Sequence, residues 1–182
     1  MKVGIFTFPN SVSYGATLQM YALYDTVNRL GYDTEIINYH NAYMKAEKHI
    51  GSSNPVSPIK TFIKKTMRSL LHIRLYSSFR RFEKKNMKMY PSKAFNEKEK
   101  LSEIGKRYDA IICGSDQIWN PNITDTDLSY FLDFCGKNTK RISYAPSFGI
   151  DKFPDDFSKI VKNVSMLLAN GRLCSKISIW IF

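Results

Sequence analysis

Apolar residues fall in short runs separated by polar breaks, and the spacing within each run assigns its element. Val3, Ile5 and Phe6, with Thr7 at their end, predict a strand over residues 2–8. Pro9-Asn-Ser-Val-Ser13 reads as a polar turn. From Tyr14 the period becomes helical. Leu18, Tyr21, Ala22, Val27 and Leu30 fit one face, and Gly31 follows as a stop. Thr34-Glu-Ile-Ile-Asn-Tyr39 is a second strand. Strand, helix and strand in this order form a βαβ unit, which calls for a parallel sheet.

Gly51-Ser-Ser-Asn-Pro-Val-Ser-Pro58 is a loop by composition. Residues 59–90 predict helix. Phe62, Met67, Leu70 and Leu71 are spaced for one face, and Phe79, Phe82 and Met89 for another. Asn96 to Arg107 reads as a short helix leading into an apolar strand at 108–113. Tyr130 to Phe134 fits a strand or a short helix. Thr139 to Ala145 is a further strand, and Asp155 to Leu168 a helix. The fold class is α/β: a parallel sheet with helices on both faces and a basic helical insertion at about 45–107.

Charge sharpens the insertion. The chain of 182 residues carries +11, and residues 45–107 hold 17 Lys/Arg against 5 Asp/Glu. The remainder is nearly neutral, so the excess belongs to one segment. A basic amphipathic segment at 59–90 suits an anionic membrane surface. It also fits a solvated helical pair whose charges aid solubility. Nucleic-acid binding is disfavoured, because no recognised motif accompanies the charge. Hydrophobic content of 43% suits a globular core. No apolar run reaches the roughly 18 residues of a membrane span. The N-terminus reads as a strand rather than a signal peptide. The three cysteines, Cys113, Cys135 and Cys174, lack Cys-x-x-Cys spacing, so neither a disulfide framework nor a zinc site is indicated. A cytoplasmic location is expected, peripheral at the inner face of the membrane if the basic segment docks there.

Three polar clusters each follow a predicted strand, where open α/β sheets place their ligands. The first runs from Pro9 to Gln19. Gly15 opens a helix, whose N-terminal amides favour anions. Tyr14 and Gln19 are candidate ligand contacts, or else Tyr14 packs on the sheet edge and Gln19 faces solvent. The second is Gly114-Ser-Asp-Gln-Ile-Trp-Asn120, after the strand ending at Cys113. Asp116 is either a general base or a carboxylate capping turn amides. Trp119 suits sugar stacking or plugs the core, and Gln117 and Asn120 would fix hydroxyl positions. The third is Ser143 to Gly149, where Ser147 is placed to hydrogen-bond across to the second cluster and Gly149 serves a turn. Cys113 reads as a small hydrophobe. His40, His49 and His72 have no metal spacing and read as solvated. There is no Gly-x-Gly-x-x-Gly and no P-loop, so a standard nucleotide site is not supported.

Tyr14-Gly-Ala-Thr-Leu-Gln-Met-Tyr-Ala-Leu23, Gly114-Ser-Asp-Gln-Ile-Trp-Asn-Pro121 and Arg141-Ile-Ser-Tyr-Ala-Pro-Ser-Phe-Gly149 together resemble the polysaccharide pyruvyl transferase family. The resemblance covers residues 1 to about 163. It departs at Ser13, where the family usually carries Asn before Tyr-Gly. It implies the N-terminal, Rossmann-like half of a two-domain enzyme similar to GT-B glycosyltransferases. It also implies transfer of a pyruvyl group from phosphoenolpyruvate, as co-substrate and with no cofactor or metal, to a sugar of a surface polysaccharide or its precursor, lipid-linked in some cases. Asp116 would then be catalytic, with Tyr14, Gly15, Gln19, Gly114, Ser115, Gln117, Trp119, Asn120, Ser147 and Gly149 binding substrate.

The family's second domain, entered through an Ile-Ser-x-Arg-Glu type strand, has no counterpart in residues 164–182. The expectation is a domain over 1–163 followed by an aberrant, poorly packing tail. The chain is then truncated near residue 164, and inactive or partner-dependent. Two other readings keep the fold and change the role: a glycosyltransferase-like sugar-binding domain, or a non-catalytic module for anionic membranes.

Overall fold

The computed structural model describes residues 1–9, 11–41, 73–150 and 152, together with strand backbone at 172–174 and 179–181. Five parallel strands form its centre: β1 (Lys2–Phe6), β2 (Asp33–Tyr39), β3 (Met89–Phe95), β4 (Ala110–Asp116) and β5 (Lys140–Pro146). Their spatial order is β3-β2-β1-β4-β5. The chain thus builds outward from β1 in one direction and then returns to β1's other side. In open α/β sheets, ligands bind beyond the carboxyl ends of the strands near such a reversal, here between β1 and β4. The backbone of β6 (Arg172–Cys174) and β7 (Ile179–Ile181) continues the sheet past β5 as an antiparallel pair. These strands fall in the stretch read from sequence as a tail outside the fold.

Successive side chains of a strand point to opposite faces, and both faces here are covered. Val3, Ile5, Ile36 and Ala110 pack on one side against α1 (Tyr14–Arg29) and against α2, helical from residue 73 to 86. Phe6, Ile37, Ile111 and Cys113 pack on the other against α3 (Glu99–Gly105) and a 3-10 turn at Leu128–Phe131. A doubly covered parallel sheet of this order is the α/β, Rossmann-like architecture. The expected helix at Asp155 to Leu168 and the loop at Gly51 to Pro58 lie outside the described residues.

Two expectations change. The buried stripe of α1 is Thr17, Met20, Leu23 and Val27, whereas Leu18 and Leu30 are 56% and 68% exposed. Apolar residues ring this helix, so hydropathy alone misplaces its inward face. Met89–Phe95 is a strand, not the end of a helix. Among the described residues it pairs with β2 on one side only, and Pro91 sits in it because an edge strand tolerates a missing amide donor. The insertion read at 45–107 therefore includes one strand of the central sheet.

The amino end of the sheet is closed by charge. Glu35, 1% exposed on β2, accepts from Lys2 Nζ at 3.1 Å, Lys88 Nζ at 3.0 Å, Arg107 Nε at 3.3 Å and the Tyr108 hydroxyl at 3.1 Å. Burial alone would raise its pKa. The hydrogen bonds from Lys88, Arg107, Lys2 and Tyr108 overcome that and hold it at about 2. Arg107 also stacks over the Tyr90 ring at 3.9 Å. Sequence reading passed over this group. Its signal was a glutamate inside an apolar strand, which must find partners.

Candidate functional site

The carboxyl end is built differently. Strand register sets Phe6 of β1 beside Cys113 of β4, and Asp116 of β4 beside Pro146 of β5. The segments after all three strands therefore leave the sheet at the same edge. The backbone of Ser147 clamps the second and third clusters together. Its amide donates to the Asp116 carbonyl at 3.0 Å, and its carbonyl accepts from the Trp119 amide at 3.2 Å. The expected bond from Ser147 is thus made twice, by backbone rather than side chain. The Ser147 side chain is left exposed.

The clamp needs close approach. Gly114, at φ 128°, lies so near β5 that a Cβ there would run into the Tyr144 carbonyl. Gly149, at φ 59°, leaves room for the Gln117 side chain. Both glycines act sterically, one by admitting a backbone and one by admitting a side chain. Asp116 has φ 121°, a region L-residues rarely adopt, at a cost of about 1–3 kcal/mol. Its Oδ1 accepts from the Gln117 amide at 2.7 Å, and its carbonyl takes the Ser147 bond, so the turn is held from both sides. Asp116 therefore caps an amide in this structure. Its carboxylate remains half-buried, with the exposed Gln117 and Ser147 beside it in the chain register.

Two residues of the 114–120 segment belong to the core. Trp119 is 6% exposed, its indole N–H donates to the Tyr130 carbonyl at 3.0 Å, and its ring stacks on Phe131 with Phe148 tilted against it. In this structure Trp119 sits as a core plug, one of its two expected roles. The same Tyr130 carbonyl accepts from the Cys113 thiol, and burial pushes that thiol's pKa well up. Cys113 is the small buried hydrophobe expected. Asn120, 5% exposed, caps a short helix α4 (Pro121–Thr124), accepting from the Asn122 amide at 3.0 Å and donating to Gln117 Oε1 at 2.9 Å. In this structure it holds the turn and aims Gln117. Ser115 is half-buried between Gly114 and Asp116.

The first cluster contributes less than expected. Ser13 caps α1, its hydroxyl facing the Ala16 amide at 3.5 Å, so the serine does replace a turn-forming side chain. Tyr14 is 70% exposed but leans on Phe79 of α2, 4.8 Å between ring centres. Gly15 and Gln19 are exposed, and nothing presses on Gly15 except the Ser13 hydroxyl at 3.9 Å. None of these three has a bond to the 114–120 segment among the described residues.

A further group near this edge was not singled out from sequence. Asp127 accepts from the Tyr39 hydroxyl at 2.8 Å and the Ser129 amide at 3.1 Å, and pairs with Lys98 at 2.8 Å. Burial opposes its charge, but Lys98, the Ser129 amide and Tyr39 together lower its pKa. It ties the end of β2 to the 3-10 turn that carries Tyr130. His40, just beyond β2, is half-buried rather than solvated; His49 and His72 lie outside the described residues. No group of three His, Cys, Asp or Glu is placed to hold a metal among the described residues.

The edge therefore presents Asp116, Gln117, Ser147 and the Gly149 backbone on a floor sealed by Trp119 and Tyr130. A carboxylate, an amide and a hydroxyl along one exposed edge can orient hydroxyl groups and accept a proton. A family model for polysaccharide pyruvyl transferase matches residues 14–169. No curated protein and no solved structure was found to match. The chain belongs to the polysaccharide pyruvyl transferase family.

Proposed function

From that membership we propose that the carboxyl edge after β4 and β5 is the acceptor wall of a pyruvyl transfer from phosphoenolpyruvate to a hydroxyl pair on a sugar. In such a transfer C2 of the donor gains two C–O bonds and loses phosphate. One acceptor proton ends on the donor's methylene carbon, making it methyl, and the other on the departing phosphate. Asp116 is the general base for an acceptor hydroxyl. Gln117, aimed by Asn120, and the Ser147 hydroxyl orient the sugar. The observation that carries this reading is the Ser147 clamp, which brings these groups to one exposed edge in a chain of this family.

The same chemistry argues against this edge as the donor wall. Phosphoenolpyruvate carries a phosphate and a carboxylate and calls for Arg, Lys or His. The set gathered here has a carboxylate and neutral groups. In this reading the donor's cations come from outside the set, and the acceptor is a polysaccharide precursor.

The test is saturation-transfer NMR of the 182-residue protein against small saccharides bearing neighbouring hydroxyl pairs, with phosphoenolpyruvate as a separate ligand. Asp116→Asn keeps an oxygen for the Gln117 amide and removes the base. It should weaken sugar binding about tenfold, the worth of one charge-assisted hydrogen bond, with thermal melting unchanged. Sugar binding indifferent to Asp116→Asn and Gln117→Ala, or phosphoenolpyruvate captured at this edge instead, would overturn the assignment.

A further inference from the structure

A cleft and an open cationic surface adjoin one another along α2. On the α1 side, Tyr14, Thr17, Leu18, Leu75, Phe79 and Phe82 line a cleft of about 250 Å³. Its wall is almost wholly apolar. The Thr17 hydroxyl is buried there without a partner. Along α2 itself, Tyr76, Arg80, Arg81, Lys84 and Lys85 form an open cationic surface. Arg80 is held by Glu83 at 2.9 Å, while Arg81, Lys84 and Lys85 make no ion pair among the described residues. Tyr14, Leu18, Ile73 and Tyr76 are 70%, 56%, 62% and 37% exposed. Ile73, Tyr76, Arg80 and Lys84 follow at helical spacing, so one stripe of α2 runs from apolar to cationic.

Single exposed apolar residues need no explanation. Four of them on two packed helices, beside three unpaired cations, form a surface of defined chemistry. We propose that this α1–α2 face docks on an anionic lipid bilayer. Leu18, Ile73 and the two tyrosines enter the boundary between headgroups and acyl chains, and Arg81, Lys84 and Lys85 lie over the lipid phosphates. Charge complementarity selects an anionic partner. The apolar members select a bilayer over a polyanion in solution, which would leave Leu18 and Ile73 unused. No described helix is long and apolar enough to cross a membrane, and the proposed contact is peripheral. Because α1 begins at the carboxyl end of β1, the docked face lies on the same side of the sheet as the Asp116 edge. The docking rests on the surface alone and does not depend on the transfer reaction.

The experiment is co-sedimentation of the full 182-residue chain with phosphatidylcholine vesicles, with and without phosphatidylglycerol, at low and high salt. The expected result is partition onto the anionic vesicles only, weakened by salt. The triple variant R81E/K84E/K85E should bind about 100-fold more weakly. The double variant L18S/I73S should lose roughly tenfold. All five positions are exposed, and circular dichroism melting verifies that each variant folds. Failure to partition, equal binding to neutral vesicles, or anionic binding untouched by either variant overturns the proposal. Loss in the charge variant alone, with RNA competing as well as lipid, also overturns it and marks a polyanion site.

Discussion

The two ends of the sheet solve the same problem by opposite means. At the amino end, strands β1, β2 and β4 converge on one buried carboxylate, and three cations and a hydroxyl satisfy it. Among the described residues the buried carboxylate there is met entirely by protein groups. At the carboxyl end, backbone replaces charge: Ser147 bonds across to Asp116 and Trp119, and a glycine lets two strands approach. That arrangement holds the chain while leaving side chains exposed. The lesson is that the number of hydrogen bonds does not mark a site. What marks it is backbone doing the holding, so that polar side chains remain free for other chemistry.

The comparison can be broken at its tightest point first. Gly114→Ala places a methyl against the Tyr144 carbonyl at a φ that alanine resists. Adding a clash to backbone strain should cost about 3–5 kcal/mol, read as a fall in the urea midpoint. A variant as stable as the parent would show that the β4–β5 approach is loose and the clamp dispensable.

Glu35→Gln tests the opposite end. Removing the charge from three cations should cost about 3 kcal/mol. It also has a pH signature. The folded pKa of about 2 lies below the ordinary 4.5, so the group's stabilisation is fully present above 4.5 and is lost as pH falls toward 2. The parent's melting temperature should fall across that window by more than the variant's. Parallel curves would mean that Glu35 is not the linked group.

The smallest effect separates plug from ligand contact. Trp119→Phe keeps much of the ring packing and deletes the indole bond to Tyr130. It should cost about 1–2 kcal/mol and leave saccharide binding within twofold. Lost sugar binding at unchanged stability would return Trp119 to the acceptor site.

Much of the sheet was legible because its strands are continuous apolar runs. Val3 to Phe6 and Ala110 to Cys113 have no other way to bury every side chain. The edge strand Met89–Phe95 was not, since a half-exposed strand with Pro91 and Lys93 carries no period-2 pattern. The site divided the same way. Its location after β4 and β5 followed from strand order. The division of labour within Asp116–Asn120 did not, because Gln117 and Trp119 are two positions apart and differ only in which way the turn points them.

By itself the sequence determined the α/β class, the alternation of β1, α1 and β2, the polar segments at strand ends and the family. Each of these depends on local pattern or on motif identity. Only the tertiary structure decided that Glu35 would gather Lys2, Lys88 and Arg107, and that Trp119 would be sealed by Phe131. It alone decided that Ser147 would act through its backbone. Those pairings join residues far apart in the chain, and what selects them is the low tolerance of a buried polar atom for being left unpaired.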